Sequence, residues 1–319
     1  MIKIVNPVSK VDWADPFTTY CARTGYYYAL CTRGDRVEIR RSRHAATIAD
    51  GELTVVYRID NKTVFGCVWA PEMHEAPDGK FYIYTSGVTN PETQEKHLFV
   101  LRSLTSDPFD GFEFAGFLGD KTIWAIDPTV HTLPDKRQLI CFSRLTPGHQ
   151  VLEIAYLDEP NVLGDKIARI ARAEYPWETV PPYCGNWTIV EGAFFVENKG
   201  RLFIIYSANG CWSDDYCLGV LEYVGGDYVS ESAWVKHPEP ILTKSDGAYG
   251  PGHASFFRSP DGKELWCCYH AMKEHNAETK AAPRYMNLQK IEFDETGYPV
   301  KAVAVPRGLA LGPPSGEED

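Results

Sequence analysis

Five times along this chain, a short polar lead stands just ahead of a turn and an apolar run. The leads are Trp13-Ala14-Asp15-Pro16, Trp69-Ala70-Pro71-Glu72, Trp124-Ala125-Ile126-Asp127-Pro128, Val190-Glu191-Gly192-Ala193 and Gly250-Pro251-Gly252-His253. The runs include Gly79-Lys80-Phe81-Tyr82-Ile83-Tyr84 and Gly200-Arg201-Leu202-Phe203-Ile204-Ile205-Tyr206. Phe81, Leu139, Phe203 and Trp266 fall 58, 64 and 63 residues apart. That period suits one four-stranded blade per module and is somewhat longer than the common propeller repeats. Five such modules predict a ring with its chemistry at the centre.

The runs read as strands. Tyr, Phe, Trp, Val and Ile cluster in stretches of four to eight, broken by Gly, Pro, Asp and Asn, as in Gln138–Ser143 and Cys217–Tyr223. Pro77-Asp78-Gly79 and Pro260-Asp261-Gly262 read as hairpin turns within a module. Long amphipathic helical patterns are scarce. The fold class is therefore all-β, a five-bladed β-propeller over residues 1–305; the bland alternative is a two-sheet sandwich with chance turn spacing. Residues 306–319, rich in Pro, Gly and acid, read as a tail with little structure.

A propeller brings the leads together at one end of its channel, so Asp15, Asp127 and Glu191 become neighbours at the same point of three modules. Carboxylates so placed can divide acid and base work on a glycosidic bond, one activating water and one protonating the leaving oxygen. A third charge nearby raises the acid's pKa. Alone, each would be an ordinary turn residue. Trp69 reads as a binding wall for the apolar face of a sugar, whereas Trp13 reads as blade core. His253 touches substrate, ligates an ion, or is structural. Arg284 on its own reads as a surface charge.

The net charge of −11 argues against nucleic acid and against anionic membrane surfaces. No apolar segment reaches the length of a membrane span, and the N-terminal residues lack a leader pattern, which places the protein in the cytoplasm. Nine cysteines, an odd number with no Cys-x-x-Cys and no zinc spacing, read as reduced structural thiols.

Asp15 in Ala-Asp-Pro, Asp127 in Ile-Asp-Pro and Glu191 in Val-Glu-Gly resemble the three carboxylates of glycoside hydrolase family 43. Trp69-Ala70-Pro71-Glu72, Gly250-Pro251-Gly252-His253-Ala254-Ser255-Phe256 and the run from Arg284 through Gly297-Tyr298-Pro299 also resemble that family, in family order. One departure is Ala193, where many relatives carry Pro. The resemblance implies a five-bladed propeller and an inverting mechanism, with Asp15 as general base, Glu191 as general acid and Asp127 as the residue that tunes and orients the acid. It implies that Trp69, His253 and Arg284 line the sugar subsite, and that no cofactor serves the chemistry. In some members the His also helps hold calcium or another ion on the axis. Tyr206 through Gly219 looks most like the arabinofuranosidase branch. The expected partners are arabinose- or xylose-containing oligosaccharides. The expected activity is release of L-arabinofuranose from non-reducing ends, with a β-xylosidase and a non-catalytic sugar-binding propeller as the other readings.

Overall fold

The structure is a computed structural model and describes residues 2–120, 123–180, 187–277 and 280–318. The five modules are the five blades of a β-propeller. Blade I comprises Phe17–Cys21, Tyr26–Leu30, Arg36–Ser42 and Glu52–Arg58. Blade II comprises Gly66–Glu75, Phe81–Asn90, Glu95–Ser103 and Phe112–Phe117. Blade III comprises Ala125–Thr132, Gln138–Thr146, His149–Glu159 and Val162–Ala171. Blade IV comprises Thr188–Asn198, Arg201–Ala208, Cys217–Tyr223 and Trp234–Lys236. Blade V comprises Tyr249–Arg258, Leu265–Met272 and Tyr285–Ile291. Each strand pairs antiparallel with the next. The first strand of each blade contacts the first strands of its two neighbours, which closes the circle around an axis.

Each lead sits on or at the foot of an inner strand, and each apolar run is the second strand. The hairpin turns follow from their chemistry. Asp78 and Asp261 each accept a backbone N–H two residues on, at 2.9 and 3.1 Å, while Gly79 and Gly262 take left-handed φ values of 79° and 73°. The adjacent Cys267 and Cys268 point to opposite faces of their strand and enter different core clusters. The eight described cysteines are unpaired, and most are buried; Cys184 lies outside the described residues.

Apolar side chains fill the spaces between blades. Trp13, Tyr27, Phe257 and Trp266 pack where blades I and V meet. Tyr84, Leu98 and Phe142 do so between II and III. Trp13 is core: it is buried, with the Arg33 guanidinium 4.7 Å from its ring centroid. Below the leads the axis is filled with rings. Phe17 lies 5.5 Å from His74 and 6.3 Å from Phe194, and Phe194 lies 5.7 Å from Phe256.

Blade V has three strands, and the N-terminal segment borders its outer edge. The Asn6 amide imitates a strand residue, accepting the Leu288 N–H at 2.9 Å and donating to the Leu288 carbonyl at 2.8 Å. The Val8 N–H donates to the Met286 carbonyl at 2.8 Å. Ile4–Val5 in turn pairs with Ala310–Leu311. The expectation of a little-structured tail after Pro306 is thereby corrected. Besides that pairing, Ser315 donates to Asp261 at 2.6 Å, and Glu317 accepts the Ala45 N–H at 3.0 Å. The composition resembles that of a disordered segment, but its polar groups have fixed partners on blades I and V.

Candidate active site

A recurring backbone bulge sets the site. Every lead carries a residue with left-handed φ at its bulge: Asp15 (53°), Ala70 (43°), Asp127 (55°), Gly192 (55°) and His253 (47°), the last lead having a second at Gly250 (59°). In blades II to V the pairing register shifts across that residue, between Trp69 and Glu72, Ile126 and Thr129, Glu191 and Phe194, and Gly252 and Ser255. A left-handed non-glycine residue costs about 1–3 kcal/mol, and such strain collects where a side chain must be aimed. Pro16, Pro71 and Pro128 follow the turned residue in blades I to III, because a bulge is where a strand tolerates proline.

This alignment changes one sequence expectation. Asp15, Asp127 and His253 occupy the turned position, but Glu191 stands one residue ahead, level with Trp69 and Ile126. In blade IV the turned residue is Gly192. A Cβ there would lie 3.0 Å from the His253 ring, so a side chain at this point would press on that ring.

A cavity of about 300 Å³ opens over the bulges. That is at the small end for ligand sites. The six residues singled out from the sequence, Asp15, Trp69, Asp127, Glu191, His253 and Arg284, all line it. Sequence reasoning missed Thr32, Gln150 and Tyr216. Thr32 follows the second strand of blade I and Gln150 lies at the start of the third strand of blade III, where nothing local distinguishes them. Tyr216 falls inside the stretch compared with arabinofuranosidases, but its position beside Glu191 depends on the fold.

Two carboxylates, Asp15 and Glu191, line the cavity from different blades and in different surroundings. Asp15 is on blade I, close to blade V. Its Oδ2 accepts the Thr32 hydroxyl at 2.6 Å, and its Oδ1 accepts Arg284 Nη1 at 3.1 Å. His253 Nδ1 lies 3.3 Å from Oδ1. Burial pushes the Asp15 pKa up, but Arg284, His253 and His270 outweigh it and hold it well below the usual range. His270 accepts the Asp15 backbone N–H at Nδ1, 3.1 Å away. Burial lowers the His270 pKa to about 4, so the ring is neutral and its approach to the Asp15 carboxylate is no ion pair. His253 differs: burial opposes its charge, but Asp15, Asp127, Glu191 and Glu72 together raise its pKa.

Glu191 is on blade IV at the seam with blade III. Its Oε2 accepts Gln150 Nε2 at 2.6 Å, and its Oε1 accepts the Tyr216 hydroxyl at 2.9 Å. Burial pushes its pKa up; His253, Gln150 and Tyr216 work against this without cancelling it. Asp127 is also pushed up, first by burial and then by the charges of Glu191 and Asp15, against the pull of His253. The charge on Glu191 is one of the causes that raise Asp127, so the two carboxyls do not titrate independently. Tyr216 reaches Glu191 because Gly252 leaves room: a Cβ there would come within 2.3 Å of the tyrosine ring. The ring is fixed by lying flat on His270, with 7° between their planes.

The remaining walls are apolar. Trp69, Trp124, Ile126, Ile189 and Trp212 line the cavity, and the Lys96 ammonium sits 4.3 Å from the Trp69 ring centroid. Glu72 instead bonds His74 at 2.8 Å, so blade II gives the cavity a wall through Trp69. Cys211 is inert, its thiol pushed up to about 12 by burial. Among the described residues, no three His, Cys, Asp or Glu side chains converge at metal-ligand spacing. The described side chains thus do not by themselves compose an ion site at His253, and no step below uses one.

The sequence profile of Glycosyl hydrolases family 43 matches residues 4–299. The chain belongs to this family. Two curated relatives, named extracellular exo-alpha-(1->5)-L-arabinofuranosidases, come from Streptomyces avermitilis and Streptomyces chartreusis. The first is 28% identical over 97% of this chain and 65% of the relative's length. The second is 29% identical over 83% of this chain and 81% of the relative's. The chain thus spans about two thirds of the first relative. A crystal structure of alpha-L-arabinofuranosidase from Lactobacillus brevis shares the fold, with a TM-score of 0.84 at 24% identity over 96% of this chain and 98% of that one. The relatives' extracellular naming overturns the cytoplasmic expectation. A folded family 43 propeller carries no mark of its compartment, and buried thiols kept apart in a core serve on either side of a membrane.

The family 43 geometry makes Tyr216→Phe informative. The tyrosine hydroxyl stabilises the charged form of Glu191. Without it the protonated form persists to higher pH, so the basic limb of the kcat/KM profile moves up while the acidic limb stays. A pH–rate profile measures this; an unmoved basic limb contradicts the role given to Tyr216.

Proposed function

We propose that this protein is an inverting, exo-acting α-L-arabinofuranosidase working outside the cell on arabinan or arabino-oligosaccharides. The carrying observation is the contrast across one small cavity: Asp15 is bonded by Arg284 and lies 3.3 Å from His253, which favour its charge, while Asp127 and Glu191 are both pushed toward their protonated forms. In this reading Asp15 takes a proton from a water as that water attacks the anomeric carbon. Glu191 gives its proton to the leaving glycosidic oxygen. Asp127 keeps the pair's proton affinity high and His253 limits how high. Arg284 holds the base and reaches the sugar's hydroxyls, and Trp69 offers a ring face to the sugar.

The choice of sugar leans on the relatives' names. The choice of chain end leans on the cavity, which is small and lies above an axis filled by Phe17, Phe194 and Phe256. A panel of defined arabino- and xylo-oligosaccharides tests both. The expected result is stepwise release of arabinose from non-reducing ends. Release of xylose in preference would replace the sugar assignment, and mid-chain cutting would replace the exo assignment.

A further inference from the structure

We propose that the seam between blades III and IV, outward of Glu191, is a binding strip for the second and third sugar units on the leaving-group side. The strip is built from Leu145, Ile189 and Trp187, with Trp124 beside it. The idea rests on Glu191 being the acid. The acid protonates the bridging oxygen, so what lies outward of it faces the departing chain.

Strand register supplies the rest. Gln150 pairs with Leu145 on one side and with Ile189 on the other. Residues paired across strands share a face, and Gln150 faces the cavity, since it bonds Glu191. Leu145 and Ile189 therefore share that face. The Leu145 N–H donates to the Trp124 carbonyl at 3.4 Å, which ties it to a cavity-lining tryptophan. Along blade IV, Glu191 and Ile189 point to one side, and Trp187 stands immediately before the strand that begins at Thr188. At about 3.3 Å per residue of extended chain, Trp187 stands up to roughly 13 Å out from Glu191. That is too far for the reacting sugar and suited to a later unit.

Exposure marks the same residues. Leu145 is 36% exposed and Trp187 is 44% exposed. Large apolar side chains left in water, continuous with a sugar pocket, form a surface on which a furanose can lay its apolar face. The occupant is a neutral arabino-oligosaccharide, in keeping with the uncharged strip.

The test compares wild type, Trp187→Ala and Leu145→Ser by kcat/KM. Substrates are nitrophenyl α-L-arabinofuranoside and arabino-oligosaccharides of two to five units, with the xylo-series in parallel. In wild type kcat/KM should rise with chain length. Trp187→Ala should lose roughly tenfold on the longest substrate, as for one stacked aromatic, and stay within about twofold on the nitrophenyl glycoside. Leu145→Ser should lose less, with the same dependence on length. Equal losses on short and long substrates, unchanged rates on all, or a wild type indifferent to length would each overturn the strip. Wild type preferring xylosides would defeat the arabinose reading instead, and the same length dependence in the xylo-series would then decide the strip.

Discussion

Glu191→Ala is expected to lower kcat/KM on arabinobiose by roughly 10²–10⁴-fold, the usual worth of a general acid. A nitrophenyl arabinofuranoside should suffer far less, because its leaving group departs without a proton. The basic limb of the pH profile should vanish with the residue that sets it. The basis is local: Glu191 lies in a buried site where its pKa is raised, with both carboxyl oxygens positioned by Gln150 and Tyr216. Kinetics on leaving groups of graded basicity measure the effect, and equal losses across the series would remove Glu191 from the acid role.

Asp15→Asn should be at least as damaging, with a different signature. The loss, again roughly 10²–10⁴-fold, falls alike on good and poor leaving groups, because attack by water precedes or accompanies both. Asn is close in shape but has one acceptor oxygen: with that oxygen kept on Arg284, its amide N–H faces the Thr32 hydroxyl, which can accept it, so the backbone has little reason to move. What disappears is the negative charge that Arg284 and His253 hold in place. Loss of that charge also removes one of the carboxylates that raise the His253 pKa. A leaving-group dependence like that of the Glu191 variant would contradict the division of roles.

The ring was legible because the bulges leave marks in sequence. Pro16, Pro71 and Pro128 stand inside or beside strand patterns, where proline needs a bulge, and each follows the residue with left-handed φ. Asp15, Asp127 and Glu191 were found through those leads. The one-residue offset of Glu191 was not, since Gly192 as the turned residue is explained by the His253 ring packed against it. Gln150 and Tyr216 were invisible for a related reason. Their partner is 41 and 25 residues away in the chain, and only the closing of the ring brings them together. The final segment misled in the opposite direction: its Pro, Gly and acids look unstructured, but Ser315 and Glu317 find fixed polar partners.

The stereochemistry of the first product tests the central claim most directly. Proton NMR during early turnover of an α-linked arabinofuranoside reports which anomer is released before mutarotation. With Asp15 activating water on the face opposite Glu191, the first product should be β-L-arabinofuranose. Appearance of the α-anomer first would mean two displacements, and the assignment of Asp15 as a base acting on water would be wrong.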